Sequence, residues 1–463
     1  MPNVRLVAHV DMNSFFASVE QQANPFLRGK SLGVCAYLHR HGCVIAASIE
    51  AKERGMKVGM TMREAQEKVP NAVFVQNDPG KYRAVTSRVF SILHELTDTV
   101  EHYSIDEAFL DLTGWYRDSA EAAWALTRAR RRITDEVGEW LRCSIGIAPT
   151  RFLAKLGSDI QKPSGLTIIT PENLDEILAR LDLEDVCGIG PRLRRRIEKL
   201  GYRSLVELKR APIPNLIRAF VKNGYFLWAK LNGLEVERVA SEEPPPKSIG
   251  HSYCVPKSAN PAPWPQKTSQ HAQPSSAATF FDRSNAPNNP WCGVNREGRV
   301  EAVLAKLTER AARRLRSHGF LAGVVSVAVG VGERDHRPYG FGSSSVGGSE
   351  FTRLDEPADD SFTLVGVATR LLYEMWDGKA PVNFLAVTLT ELAAPTGQMR
   401  IMNVATRLKM LSAAADLVRD KHGDEALVLG RMFRTSIVDA PDRIGFRKTN
   451  GIDVAGAWKG VGR

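Results

Sequence analysis

A chain of 463 residues, 43% hydrophobic and 25% charged, has the apolar content for several cores rather than one. Its 62 Lys and Arg against 52 Asp and Glu leave a formal charge of +10, which favours a polyanionic partner, nucleic acid before membrane. Six cysteines without CxxC pairing argue against a zinc site or a disulfide framework, and no apolar run is long enough to span a bilayer. With no signal-peptide pattern, a reduced, cytoplasmic setting is expected.

Arg5 to Val10 is a nearly continuous apolar run and reads as a buried strand that delivers Asp11 at its end. Phe15 and Phe16 then open a helical stretch. Alone, Asp11 could be a helix cap. Strands are expected over Ser31 to Tyr37, Cys43 to Ala47 and Asn71 to Gln76, with a helix opened by Thr61 at capping-box spacing from Glu64. Lys81 to Leu96 carries apolar residues at helical spacing. A second acidic stretch follows, Ser104-Ile105-Asp106-Glu107-Ala108-Phe109-Leu110-Asp111. Neighbouring strand residues face opposite sides of a sheet, so Asp106 and Glu107 can share a site only at a bend. A hairpin bend is therefore predicted at Ile105-Asp106-Glu107, and Asp111 is expected to be structural. The carboxylates Asp11, Asp106 and Glu107 beside apolar strands are the set that a two-metal phosphoryl-transfer site needs.

Ala120 to Leu141 reads as a helix with a basic face and Cys143 to Ala148 as a strand. Thr150 caps a helix running to Gln161, with Lys162 at its end and Pro163 as the stop. Strand, helix, hairpin, helix, strand, helix is the order of a ferredoxin-like α+β layer. From Pro171 the chain turns to short helices. Among them, Gly188-Ile189-Gly190 precedes Arg192, Arg194, Arg195, Arg196 and Lys199, a hairpin that can offer backbone N–H groups and cations to DNA phosphates. Ser241 to Pro246 reads as a linker and Pro256 to Gly298 as a flexible Pro/Ser/Asn-rich insertion. A smaller α+β domain is expected from a helix over Glu301 to Ser317 (bearing Arg313 and Arg314), a strand over Ala322 to Val331, a helix over Ser361 to Met375 and a strand over Pro381 to Leu392. A helix over Ala405 to Lys421 and a basic tail with Arg431, Arg434, Arg443, Arg447 and Lys448 follow.

Four motifs carry a resemblance: Val10 to Glu20; Gly42 to Ala46 with Glu50-Ala51-Lys52; Tyr103 to Asp111; and Ser144 to Thr150 continuing to Lys162-Pro163. With the Gly188–Gly190 hairpin, the sequence resembles the Y-family DNA polymerases of the DinB/UmuC translesion type, its fingers motif closer to UmuC. The resemblance implies an α+β, multidomain right-hand polymerase: a ferredoxin-like palm (1–28 and 83–170), small fingers (29–82), a helical thumb with a helix-hairpin-helix (171–240), a linker (241–255), the insertion (256–298), an α+β little finger (299–395) and a C-terminal extension (396–463). It implies template-directed addition of deoxynucleotides to a primer 3′ end opposite damaged template. The alternative is a catalytically weak, polymerase-like accessory protein that binds DNA.

By the same resemblance, Asp11, Asp106, Glu107 and the Met12 carbonyl would hold two Mg²⁺ ions. Lys162, Lys52 and Arg83 would contact the triphosphate. Phe16, next to Phe15, would be the filter against ribose, and Gly188, Gly190, Arg192, Arg194, Arg195, Arg313 and Arg314 would contact DNA. Implied partners are primer–template DNA, deoxynucleoside triphosphates and a sliding clamp through Gln398–Met402, with no membrane. Asn13 stands where many members have Asp, removing a negative charge near the site. Ile49 stands where DinB-type members have Tyr, and Lys52 replaces their Arg. Ala46, Ala47 and Ser48 are expected to form a small roof over the nascent base pair.

Overall fold

The computed structural model describes residues 5–38, 42–241, 245–254, 296–331, 346–378, 382–395, 404–423 and 426–432. These fall into two compact units that divide between residues 244 and 245. Most of the Pro/Ser/Asn-rich insertion, the Gln398–Met402 peptide and the tail residues Arg434, Arg443, Arg447 and Lys448 lie outside the described residues.

The first unit is built on a strand, β1 (Val7–Met12), buried at all six positions. It lies at the centre of a five-stranded sheet with β5 (Val100–His102), β6 (Glu107–Asp111), β7 (Cys143–Ala148) and β8 (Leu166–Ile168), in the order β5-β6-β1-β7-β8. β1 runs antiparallel to both β6 and β7, and β8 runs parallel to β7. Strand alternation divides β1 between two cores. Leu6, Ala8, Val10 and Met12 pack with helices Phe15–Ala23, Pro79–His94 and Ser119–Arg132. Val7 packs on the other face with Phe109, Leu153, Leu156 and residues of the helices from Leu174 to Leu231. On that face helix Arg151–Ile160 lies directly on β7. A Cβ at Gly146 would collide with the Ala154 carbonyl, so glycine is what permits the approach.

Three shorter strands, β2 (Leu32–Cys35), β3 (Val44–Ala47) and β4 (Val73–Gln76), form a separate sheet in the order β3-β2-β4. The expected capping box is present. The Glu64 N–H donates to Thr61 Oγ1 at 3.2 Å, and the Thr61 N–H donates to Glu64 Oε2 at 2.7 Å.

The second unit has an antiparallel four-stranded sheet ordered β11-β10-β12-β9, from β9 (Ser248–Cys254), β10 (Leu321–Val331), β11 (Val346–Ala358) and β12 (Val382–Ala393). Helices Arg296–Ser317, Ser361–Met375 and Val404–His422 complete it. Two expectations need correction, and one strand is not expected from the sequence. Much of the 241–255 stretch read as linker is strand β9, paired along β12 from Ser248 to Cys254. β11 does not announce itself in the sequence, because an edge strand carrying Glu350, Arg353, Asp355 and Glu356 lacks the apolar alternation of a half-buried one. Helix Val404–His422, read as part of a separate extension, is joined to this unit by ion pairs from Arg419 to Glu309 and from Asp416 to Arg316.

Candidate active site

The carboxylates gather where β1 ends and β6 begins. Asp11 is the register partner of Glu107, so their side chains leave the same face of the sheet on neighbouring strands. On a regular strand Asp106 would face away. It is recruited by a tight turn in which the N–H groups of Tyr103 and Ser104 both donate to the Glu107 carbonyl, at 3.0 and 3.1 Å. The expected bend is there, shifted by a residue: Glu107 already belongs to β6. The turn is tied to β1 by the Met12 N–H donating to the Asp106 carbonyl at 2.9 Å. Ser104 Oγ donates to Asp106 Oδ1 at 2.5 Å and sets that carboxylate.

Each carboxylate has a partner. Lys162 Nζ lies 2.8 Å from Asp11 Oδ2 and 2.7 Å from Asp159. Lys155 Nζ lies 2.5 Å from Glu107 Oε1. Burial pushes the Asp11 carboxyl up; Lys162 opposes that rise and Glu107 adds to it. Burial also pushes Asp106 up, to about 6, against the Ser104 hydrogen bond. Behind them His9 is fully buried and 2.7 Å from Ser158 Oγ, its Nε2 without a partner. Burial and then the cations Lys155, Lys162 and Arg151 hold it neutral.

The carboxylates open into a cleft of about 470 Å³, whose lining includes Asp11 to Phe16, Ile45 to Ala47, Ile49, Lys52, Asp106, Glu107 and Lys162. Lys52 is among the lining residues, and desolvation followed by the Lys162 charge lowers its pKa. Phe15 and Phe16 both line the cleft. Phe16 is stacked on Tyr82, centroids 4.4 Å apart and 13° from parallel. Tyr82 is itself anchored, its hydroxyl donating to Glu20 Oε1 at 2.8 Å while Lys81 holds the other Glu20 oxygen at 2.7 Å. Of the expected roof, Ala46 and Ala47 line the cleft. Ser48 turns away to cap helix Ile49–Glu53, accepting the Ala51 N–H at 3.2 Å. Arg83 sits half-buried on helix Pro79–His94 and is not among the lining residues.

Hard oxygen donors brought close together, two of them (Asp11 and Asp106) raised in pKa by burial, are the chemistry that divalent magnesium relieves. The set formed by Asp11, Asp106, Glu107 and the Met12 carbonyl fits such ions on that ground. Among the described residues, no three such side chains are preassembled around one point. In this structure Lys155 and Lys162 supply positive charge to Glu107 and Asp11.

The expected DNA contacts are scattered by comparison. Gly188 takes φ 100° in the turn before helix Pro191–Lys199, a conformation that favours glycine, and Gly190 is the residue before that helix. Arg192 and Arg195 are exposed, Arg195 donating to the Pro191 carbonyl at 3.3 Å. Arg194 is engaged by Glu198 at 2.8 Å and Glu184 at 3.5 Å. In the second unit Arg313 is paired with Asp420, and Arg314 is half-buried.

Sequence reasoning assigns no role to Lys155, Tyr82 or Ser158. Tyr82 has a signal, three residues before Val85 on the same amphipathic helix. Lys155 has only its place in a motif.

Comparison with known proteins adds the following. A profile of the impB/mucB/samB family matches residues 10–159, and that of the family's C-terminal domain matches residues 293–402. A protein of Pelotomaculum thermopropionicum named DNA polymerase IV is 29% identical over 431 residues, spanning 90% of this chain and 93% of that one. A DNA polymerase IV of Moorella thermoacetica is 30% identical over 421 residues, with the same two coverages of 90% and 93%. A solved Y-family DNA polymerase chimera shares the fold, with a TM-score of 0.66 at 24% identity over 84% of this chain and 100% of that chain. None of these bears on the UmuC likeness of the fingers motif.

Proposed function

Because the chain belongs to the impB/mucB/samB family of Y-family polymerases, we propose that its cleft adds deoxynucleotides to a primer 3′ end opposite damaged template. The observation that carries this reading is the recruitment of Asp106 by a turn to join Asp11 and Glu107 at one edge of an open cleft. Asp11, Asp106, Glu107 and the Met12 carbonyl would hold two Mg²⁺ ions. When bound, these supply a lowered pKa for the primer hydroxyl and charge stabilisation for the departing pyrophosphate. The chain's own groups do the positioning. Ser104 fixes the Asp106 carboxylate and Lys155 fixes Glu107. Lys162 and Lys52 meet the triphosphate charge, and Ile45, Ala46 and Ala47 leave room above the nascent pair. Exposed Arg192 and Arg195 with the Gly188–Gly190 turn meet the DNA backbone without reading sequence.

The test is primer extension by the full chain with Mg²⁺, comparing deoxynucleotides, ribonucleotides and metal-free buffer. Extension with deoxynucleotides alone, and only with metal, is the expected result. No extension on any template would favour an accessory DNA-binding role.

The Phe16 ring is the sugar filter because Tyr82 holds it in place from behind. Forcing a 2′-hydroxyl against a fixed ring costs about 1–3 kcal/mol. Phe16→Ala is thus expected to raise ribonucleotide incorporation roughly 10- to 100-fold relative to deoxynucleotide. An unchanged ratio would move the filter to Phe15.

A further inference from the structure

Asn13 reads from the sequence as a missing charge, but its side chain has a task. It is 5% exposed and reaches from the end of β1 to the loop after helix Arg151–Ile160. Oδ1 accepts the Ser164 N–H at 2.8 Å, which fixes the orientation of the carboxamide. Nδ2 then donates to Ser144 Oγ at 3.1 Å. Ser144, the register partner of Asp11 on β7, donates in turn to the Gln161 carbonyl at 3.1 Å; its other acceptor, Asn13 Oδ1, is longer at 3.3 Å. Both ends of the 161–164 stretch are therefore tied to the sheet. Between them stands Lys162, its ammonium 2.8 Å from Asp11. A carboxylate at position 13 could not donate to Ser144. Ser144 would have to turn its single proton back, leaving the Gln161 carbonyl only the Gly165 N–H at 2.9 Å and untying it from the Ser144 side chain.

We infer that Asn13, with Ser144, is a positioning residue for Lys162, holding the 161–164 loop so that this cation stands at the Asp11 side of the cleft where a triphosphate enters. The inference rests on the proposed triphosphate contact of Lys162. A lysine has four rotatable bonds, so an untethered loop would let it spend its time in solvent.

The decisive measurement is the equilibrium Kd of the correct deoxynucleotide for the full chain on a dideoxy-terminated primer–template in Mg²⁺. Loss of one such hydrogen bond is worth about 3- to 10-fold. Asn13→Ala and Ser144→Ala are each expected to weaken nucleotide binding by about that factor. In a Lys162→Ala background, Asn13→Ala is expected to add nothing further. A structural role would move both backgrounds equally, so multiplying factors, or an unchanged Kd in Asn13→Ala, would overturn the inference while leaving the Lys162 contact standing. If Lys162→Ala alone leaves the Kd unchanged, the triphosphate contact fails and the inference falls with it. Should Asn13→Ala fail to fold, Ser144→Ala breaks the same chain of bonds and decides alone.

Discussion

Asp106→Asn is expected to abolish nucleotide addition, by roughly 10³-fold or more, and to raise the melting temperature of the metal-free protein. The first effect follows from the loss of a group proposed to hold cations, which would supply several kcal/mol of charge stabilisation. The second follows from what that carboxylate endures without them. Burial, with Asp11 adding to it, pushes the Asp106 pKa from 3.8 to about 6. The folded carboxyl therefore keeps its proton to higher pH than the unfolded one. The resulting destabilisation is fully present above pH 6 and fades as pH falls toward 4. A rise of that size corresponds to about 3 kcal/mol as a ceiling. Asp106 is half-buried at the edge of an open cleft, so solvent screening reduces the figure to about 1 kcal/mol. In a unit of this size that is about 2–4 °C. Asparagine keeps the shape and the Ser104 hydrogen bond and removes the charge. Thermal melts in chelator at pH 5 and pH 7.5 check this. The gain should be larger at pH 7.5, and a variant less stable than the parent at that pH would show that Asp106 is not electrostatically crowded. DNA binding, here proposed to rest on the exposed cations, should survive the substitution nearly intact.

The features legible in the sequence follow from local rules. The bend before Glu107 is legible because strand alternation forbids adjacent carboxylates from sharing a face. The place of Lys162 just past a helix end is legible because Pro163 stops that helix, while its role at the site comes from the family resemblance. The sequence alone does not say where long side chains end up. Lys155 looks like any lysine on an amphipathic helix, and only the glycine-permitted contact of that helix with β7 brings it within reach of Glu107. Asn13 shows in the sequence only the charge it lacks, because its partners Ser144 and Ser164 lie more than 130 residues away. Strands β9 and β11 escape for a related reason: edge strands are held by backbone pairing with β12 and β10, which leaves little mark on side-chain pattern. The basic character of its helix points Arg313 toward DNA, whereas its partner, Asp420, lies on a helix whose place in the fold the sequence does not give.

That last helix carries the second large effect. Arg419→Ala is expected to destabilise the second unit by about 3–5 kcal/mol, although Arg419 is remote in sequence from every motif. Arg419 is 4% exposed and Glu309, its partner, 7%. Arg419 Nε also donates to the Leu427 carbonyl at 2.8 Å, and its Nη1 approaches Asp416 Oδ1 at 3.4 Å. Asp416 in turn receives a two-pronged contact from Arg316, at 2.6 and 2.9 Å, while Arg316 Nη1 donates to the Asp359 carbonyl at 2.7 Å. Removing Arg419 would leave Glu309, whose Oε2 already lacks a hydrogen bond, a buried charge offset only by the longer Arg316 contact at 3.7 Å. The cost thus comes from stranding Glu309 more than from losing an attraction. It follows that a double change, Arg419→Met with Glu309→Leu, should recover most of the loss, because apolar groups of similar volume need no compensation. Amide exchange in the full chain reads both outcomes. Protection across helices Val404–His422 and Arg296–Ser317 should fall in Arg419→Ala and return in the double variant. If Arg419→Ala costs less than about 1 kcal/mol, the four charges are hydrated and behave as a surface network.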